Sequence, residues 1–254
     1  MRRPSSAYGS SLSSFGPGPV STTLKALIGA NVIVFVAQAL SPLVTELFGL
    51  HPAWVIAAPS RLAPEHSFWL WQMATYMFLH AGIFHILFNM LALWMFGAEL
   101  ERIWGTRYFL KFYFVTGIGA GALTVIVSLL PFARQLQGAN IIGASGAIYG
   151  LLLAYAMYFP DRPILLLVFW VPAKWCVAIL GAIALFSSLS DAGGVANATH
   201  LGGLLIGYLM LKGPRLHPIS ELKYRYLKWK INRVRKKFDV YSGGRANDYD
   251  RRVH

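Results

Sequence analysis

Long apolar runs separated by short polar or charged stretches dominate this chain. Apolar residues fill Ala26–Leu40, Gly82–Gly97, Phe112–Leu130, Ala144–Phe159 and Thr199–Leu211. The stretch Ile164–Leu189 is long enough for an apolar connection and one further run, with Pro172 and Lys174 near their junction. Runs of about 18 or more apolar residues with few charges have the length of a membrane-spanning helix. The pattern therefore predicts an all-α, polytopic membrane protein. Its six-helix bundle would cover residues 24–212, between an N-terminal arm (1–23) and a C-terminal tail (213–254). Ser41–Pro64 reads as a long loop punctuated by Pro42, Gly49, Pro52, Pro59 and Pro64. Loops of that length are usually functional or disordered, and Trp54, Val55 and Ile56 suit this one to the bilayer interface. A charged link (Glu99, Glu101, Arg102, Arg107, Lys111) follows the second span, and Asp191–Ala198 reads as a Gly/Ala turn before the sixth.

Composition agrees with the pattern: only 13% of residues are charged, against about 25% in soluble domains. Charge placement adds an orientation. Six spans put both termini on one side, and that side carries 21 of the 23 Lys and Arg, leaving Arg61 and Arg134 opposite. The positive-inside rule then makes both termini cytoplasmic. Twelve Lys and Arg but four acids follow Gly213. Tyr224, Leu227, Ile231, Val234 and Phe238 recur there at helical spacing, so the tail is expected to rest on an anionic lipid face rather than on nucleic acid. The single Cys176 excludes an internal disulfide and reads as a buried small hydrophobe. Residues 1–20 show no apolar region with a small-residue cleavage site, so no removable signal peptide is expected. The membrane expected is the cell (inner) membrane.

In this topology spans 2, 4 and 6 begin together near the outer face, and polar clusters sit at those ends. His80, His85 and Asn89 open span 2, Ser145 opens span 4 within Gly143-Ala144-Ser145-Gly146, and His200 opens span 6. Polar groups within a membrane are costly and are functional candidates by default. A serine needs an adjacent base to act as a nucleophile, and histidine titrates in the range that suits a base. Ser145 and His200 thus form a candidate Ser–His dyad. Tyr149, four residues after Ser145, lies on the same helical face and can hold the His200 ring. His85 and Asn89, also four apart, share one face of span 2 and offer side-chain donors to an oxyanion, as does the Ser145 backbone N–H at a helix N-terminus. Gly146 with Gly150, and Gly203 with Gly207, have the spacing that lets two membrane helices close to contact.

Singly, these residues have plainer readings. A serine among glycines is commonly a packing residue, and a histidine at a helix start is commonly interfacial. His80 and His85 are five apart, a poor spacing for one face, and no HExxH pattern exists, so no metal site is expected. His51, His66 and His217 read as surface residues, Trp69, Trp71 and Trp104 as interface anchors, and Glu101–Arg102 as a solvated helix end. The conjunction at one depth is what favours catalysis. A non-catalytic membrane-protein binder and a channel or transporter are the rivals. The chain shows no internal repeat of the transporter kind.

Over residues 24–212 the sequence resembles the rhomboid intramembrane serine proteases. The resemblance rests on His80-Ala-Gly-Ile-Phe-His85-Ile-Leu-Phe-Asn89, Gly97-Ala-Glu-Leu-Glu101-Arg102-Ile-Trp-Gly105, Gly143-Ala-Ser145-Gly146-Ala-Ile-Tyr149-Gly150 and His200-Leu-Gly-Gly203. It implies a six-span rhomboid-like bundle, a Ser145–His200 dyad with an acyl-enzyme intermediate, and oxyanion binding by His85 and Asn89. It further implies Tyr149 packed on His200, a membrane-embedded first loop, a gate formed by span 5 and its following loop, and cleavage of transmembrane segments near the outer face without metal or cofactor. Family members often carry Trp-Arg in the first loop; here the matching place is Trp71-Gln72.

Overall fold

The computed structural model describes residues 20–56, 68–166, 169–189 and 194–213, with Lys228 and Lys230 beyond them. The described helices are α1 (Thr22–Leu40), α2 (Pro42–Phe48), α3 (Pro52–Val55), α4 (Gln72–Thr75), α5 (Ile83–Trp104), α6 (Thr106–Ser128), α7 (Ser145–Tyr158), α8 (Ala173–Leu189) and α9 (Gly194–Lys212). Strands β1 (Pro163–Leu166) and β2 (Phe169–Pro172) pair antiparallel between α7 and α8. Residues 1–211 form one compact unit and the tail from Lys212 a second. The helical stripe expected in that tail, and Asp191, His66 and His217, lie outside the described residues.

Among the described residues three helices, α1, α5 and α6, are long and apolar enough to cross a membrane; α7 and α8 are apolar but shorter. The bundle is not purely helical, because the start of the Ile164–Leu189 stretch forms the β1–β2 hairpin. α5 also runs further than its apolar run. The expected charged link shrinks to Gly105, whose φ of 75° lets the chain reverse into α6. Glu101 is not a solvated helix end. It is buried, accepts from Ser21 Oγ (2.5 Å) and Thr106 Oγ1 (2.7 Å), and so ties the starts of α1 and α6 to the end of α5. Ser21 Oγ in turn accepts from Leu24 N at 3.1 Å, capping α1.

Lipid is as apolar as a leucine side chain, so helices in a bilayer associate through close packing and hydrogen bonds. α9 shows how. A Cβ on Gly203 would lie 1.9 Å from the Gly146 carbonyl oxygen, and one on Gly207 would lie 3.0 Å from Gly150 Cα. Gly202 meets the Ala120 backbone of α6 in the same manner. Thr199 Oγ1 of α9 lies 3.0 Å from Thr124 Oγ1 of α6. Either hydroxyl can donate across the interface, and Thr124 also bonds the Ala120 carbonyl. Such bonds contribute about 0.6 kcal/mol each in membrane proteins.

The first loop is partly helical rather than irregular. Val55 is buried in the core instead of lying at an interface. His51 is half-buried and stacks on Trp54, with centroids 3.9 Å apart, so it is no surface residue. Trp104 likewise packs inward, against Phe112, Tyr108 and Tyr158.

Candidate active site

The approach to Ser145 is pinned from two sides. Leu50 and Ile141 exchange backbone hydrogen bonds of 2.9 Å each, tying the first loop to the segment before α7. Gly143 N then donates to the Tyr76 carbonyl at 2.9 Å, and Tyr76 Oη donates to Gly117 O of α6 at 2.7 Å. Gly143 has φ +128°, open to glycine, and a Cβ there would lie 2.9 Å from His85 Cε1 and Nε2. This turn sets Ser145 as the first residue of α7, where backbone N–H groups lack helical partners.

His200 lies in the second turn of α9, not at its opening, because the helix begins at Gly194. Its Nε2 is 2.8 Å from Ser145 Oγ. In the Nδ1-protonated tautomer the serine hydroxyl donates to Nε2. Tyr149, one turn after Ser145, lies flat on the other side of the ring, with centroids 4.2 Å apart and an interplanar angle of 6°. Stacking and the Gly146–Gly203 contact together fix the ring against the hydroxyl.

His85 and Asn89 are placed differently. His85 Nδ1 accepts from Ala81 N at 3.2 Å. A neutral ring that accepts at Nδ1 carries its proton on Nε2, and His85 lines the cavity beside Ser145. That cavity, about 280 Å³, is also bounded by Asn140, Gly143, Thr199 and His200. Asn89 is buried one turn further along α5. It donates one amide hydrogen to the His85 carbonyl at 2.7 Å and is not part of the cavity wall. His80 lies before α5, buried, its ring edge-on to His85 at 5.0 Å. Burial first, then the His85 ring, holds it down at about 4, with the nearby Phe78 carbonyl opposing. Among the described residues, neither ring nitrogen of His80 has a hydrogen-bond partner. It faces a second cavity of about 370 Å³ together with Gln38 and Thr45. Gln38 Oε1 accepts from His80 N at 2.8 Å and its Nε2 donates to Thr45 Oγ1 at 2.9 Å.

Gln72 matters more than its sequence position suggests. It is fully buried; Oε1 accepts from His51 N at 3.1 Å, and Nε2 donates to Leu47 O at 3.3 Å. With Trp71 Nε1 to Leu47 O (3.0 Å) and Thr75 Oγ1 to Phe48 O (2.8 Å), it fastens the first loop upstream of the Leu50–Ile141 bridge. The Thr124–Thr199 bond, one residue before His200, is a further support that the spacing argument passed over; a threonine next to a candidate base on a glycine-rich face was the available signal. Among the described residues, no group of three or more His, Cys, Asp or Glu converges as a metal site would require.

This arrangement places a hydroxyl against an imidazole, with one ring N–H and one backbone N–H at the same cavity. Known proteins carry related sequences. The chain is 36% identical over 135 residues to Rhomboid protein 1, mitochondrial, of Saccharomyces cerevisiae, covering 52% of this chain and 38% of that protein. It is 32% identical over 139 residues to Rhomboid protease GluP of Bacillus subtilis, covering 54% and 25%. It is 30% identical over 146 residues to Rhomboid protease GlpG of Yersinia pestis, covering 56% and 47%. The chain thus spans about a quarter to a half of the length of these relatives. The Rhomboid domain as a family matches residues 67–213, a stretch that holds Ser145, His200, His85, Asn89 and Tyr149 and more than half of the chain, which therefore belongs to the rhomboid family.

Proposed function

We propose that this chain is an intramembrane serine endopeptidase that cleaves transmembrane segments of other membrane proteins near the outer face of the bilayer. The observation that carries this reading is the 2.8 Å approach of Ser145 Oγ to His200 Nε2 at a cavity wall. Two of the similar proteins are named rhomboid proteases, which supports the same activity here.

In the proposed reaction, Ser145 Oγ attacks a substrate carbonyl carbon while His200 Nε2 takes the hydroxyl proton. The oxyanion receives the His85 Nε2–H and the Ser145 backbone N–H, donors aimed where charge develops. His200 returns its proton to the leaving amine, and the C–N bond breaks to leave an acyl ester on Ser145. Water, deprotonated by His200, then hydrolyses that ester and restores the serine. Asn89 acts behind His85, through its bond to the His85 carbonyl. A substrate helix must unwind locally, because a hydrogen-bonded helix hides its carbonyls.

The wider reading has six spans, both termini cytoplasmic, in a cell membrane, with the basic tail on anionic lipid. Juxtamembrane Lys and Arg near such a surface contribute about 1 kcal/mol each. The experiment pairs cleavage of a single-span model substrate with labelling by a serine-directed fluorophosphonate. Wild type is expected to cleave and label; Ser145→Ala and His200→Ala are expected to do neither. Wild-type protein that binds the substrate but neither labels nor cleaves would make it a binder. Undiminished cleavage by purified Ser145→Ala would remove the dyad.

A further inference from the structure

We infer that the β1–β2 hairpin is embedded in the lipid interface at the foot of α8, as an anchor in the leaflet next to its base. Side chains alternate between faces along a strand, and here the two faces differ in what covers them. Ile164 and its cross-strand partner Val171 turn inward, Ile164 buried and Val171 packed on the core. The next pair, Leu165 opposite Trp170, turns outward, and Trp170 is 56% exposed. Phe169 shares the face of Val171 but stands at the hairpin's far end, beyond the core, and is 69% exposed.

α8, against which both strands pack, carries an exposed apolar stripe of its own. On α8, Trp175, Ile179, Ile183 and Phe186 are all exposed and follow at steps of four, four and three, one side of the helix. Leu165 and Trp170 add exposed apolar side chains on the strands that pack beside α8. A contiguous apolar surface of this kind facing water would be an aggregation liability; facing acyl chains it carries no cost.

Charge marks where the water begins. Arg162, just before β1, pairs with Glu99, and Lys174, just after β2, pairs with Asp161 at 2.6 Å. Both pairs sit at the base of the hairpin, where Ala173 N donates to Arg162 O at 2.8 Å and closes it. The outward residues include tryptophan, whose amphipathic ring prefers headgroup depth. The chemistry that fits is the boundary between headgroups and acyl chains.

The test places nitroxide labels at Leu165→Cys and Trp170→Cys, with Arg162→Cys as the control, each in full-length Cys176→Ala protein reconstituted into phosphatidylcholine–phosphatidylglycerol vesicles. Labels at 165 and 170 are expected to collide with oxygen, to lose accessibility to an aqueous nickel chelate, and to report a depth of about 5–10 Å, as interfacial elements do. The label at 162 is expected to stay accessible to nickel. Nickel accessibility at 165 and 170 equal to that at 162 would overturn the anchor. So would dipolar broadening that vanishes on dilution with unlabelled protein, which would put a second copy on this face. Neither readout depends on catalysis, so the result stands whether or not Ser145 is a nucleophile.

Discussion

His85 and Asn89 share a helical face, and their spacing alone offers both as oxyanion donors. The structure separates them: His85 borders the cavity with its Nδ1 occupied by Ala81 N, whereas Asn89 donates to its own helix. Removing one oxyanion donor typically costs 10²–10³ in turnover. We therefore expect His85→Ala to lower kcat by about 10²–10³, since it deletes the cavity donor. Asn89→Ala should cost clearly less, since it deletes a support. Steady-state rates of both variants on one membrane substrate check this; equal losses would put the Asn89 amide in the oxyanion site. Residue types and spacing made the meeting of Ser145, His200 and Tyr149 legible, because a helix repeats its face every three to four residues. Side-chain rotation at Asn89 was not legible, because either of its amide groups satisfies the same pattern and only the third dimension chooses. Nor was the role of Gln72, whose side-chain hydrogen bonds all reach residues at least 21 positions away.

Between elements, the dyad depends on how closely α7 and α9 approach. Gly203 has no room for a methyl group: its Cβ would sit 1.9 Å from the Gly146 carbonyl, far inside the 3.5–4.0 Å of ordinary contact. Gly203→Ala must push the two helices apart by about 1 Å or more, and misplacement on that scale costs about 10²-fold in rate. Gly29 on α1, where a Cβ would meet nothing within 4 Å, supplies the control: Gly29→Ala should leave the rate near wild type. Rates measured beside thermal unfolding of both variants check this, and a fully active Gly203→Ala would mean the helices are not held by that contact. The helices themselves were readable from apolar runs, but their ends were not. α5 continues through Glu101 because its carboxylate is satisfied by Ser21 and Thr106, and a buried acid looks like a solvated one in sequence. The hairpin was hidden for another reason: a short apolar run reads alike as strand or helix.

At the scale of the whole molecule, helix length sets the depth of the site. α7 has 14 residues, about 21 Å at 1.5 Å per residue, against a hydrocarbon core of about 30 Å. If its C-terminal end, followed by Asp161 and Arg162, stands at one interface, Ser145 lies about 10 Å short of the other. On that reading the cavity lined by Gly143 and Ser145 takes its water from the nearer face. The charges agree on which face it is. Arg102 near the end of α5, Arg162 after α7 and Lys174 at the start of α8 stand at the foot of the bundle, and Arg134 lies in the link between α6 and α7 on the side of Ser145. Positive residues close to span ends decide orientation, so the proposed reading has the foot in the cytoplasm and the Ser145 end outside. We expect a cysteine at position 134 to react with a membrane-impermeant maleimide in intact cells. A cysteine at 162 should react only after permeabilisation; both would be made in the Cys176→Ala background. The reverse pattern would invert the bundle and move any cleavage to the cytoplasmic side of substrates, whereas equal labelling of both sites from outside would mean that α7 does not cross between them.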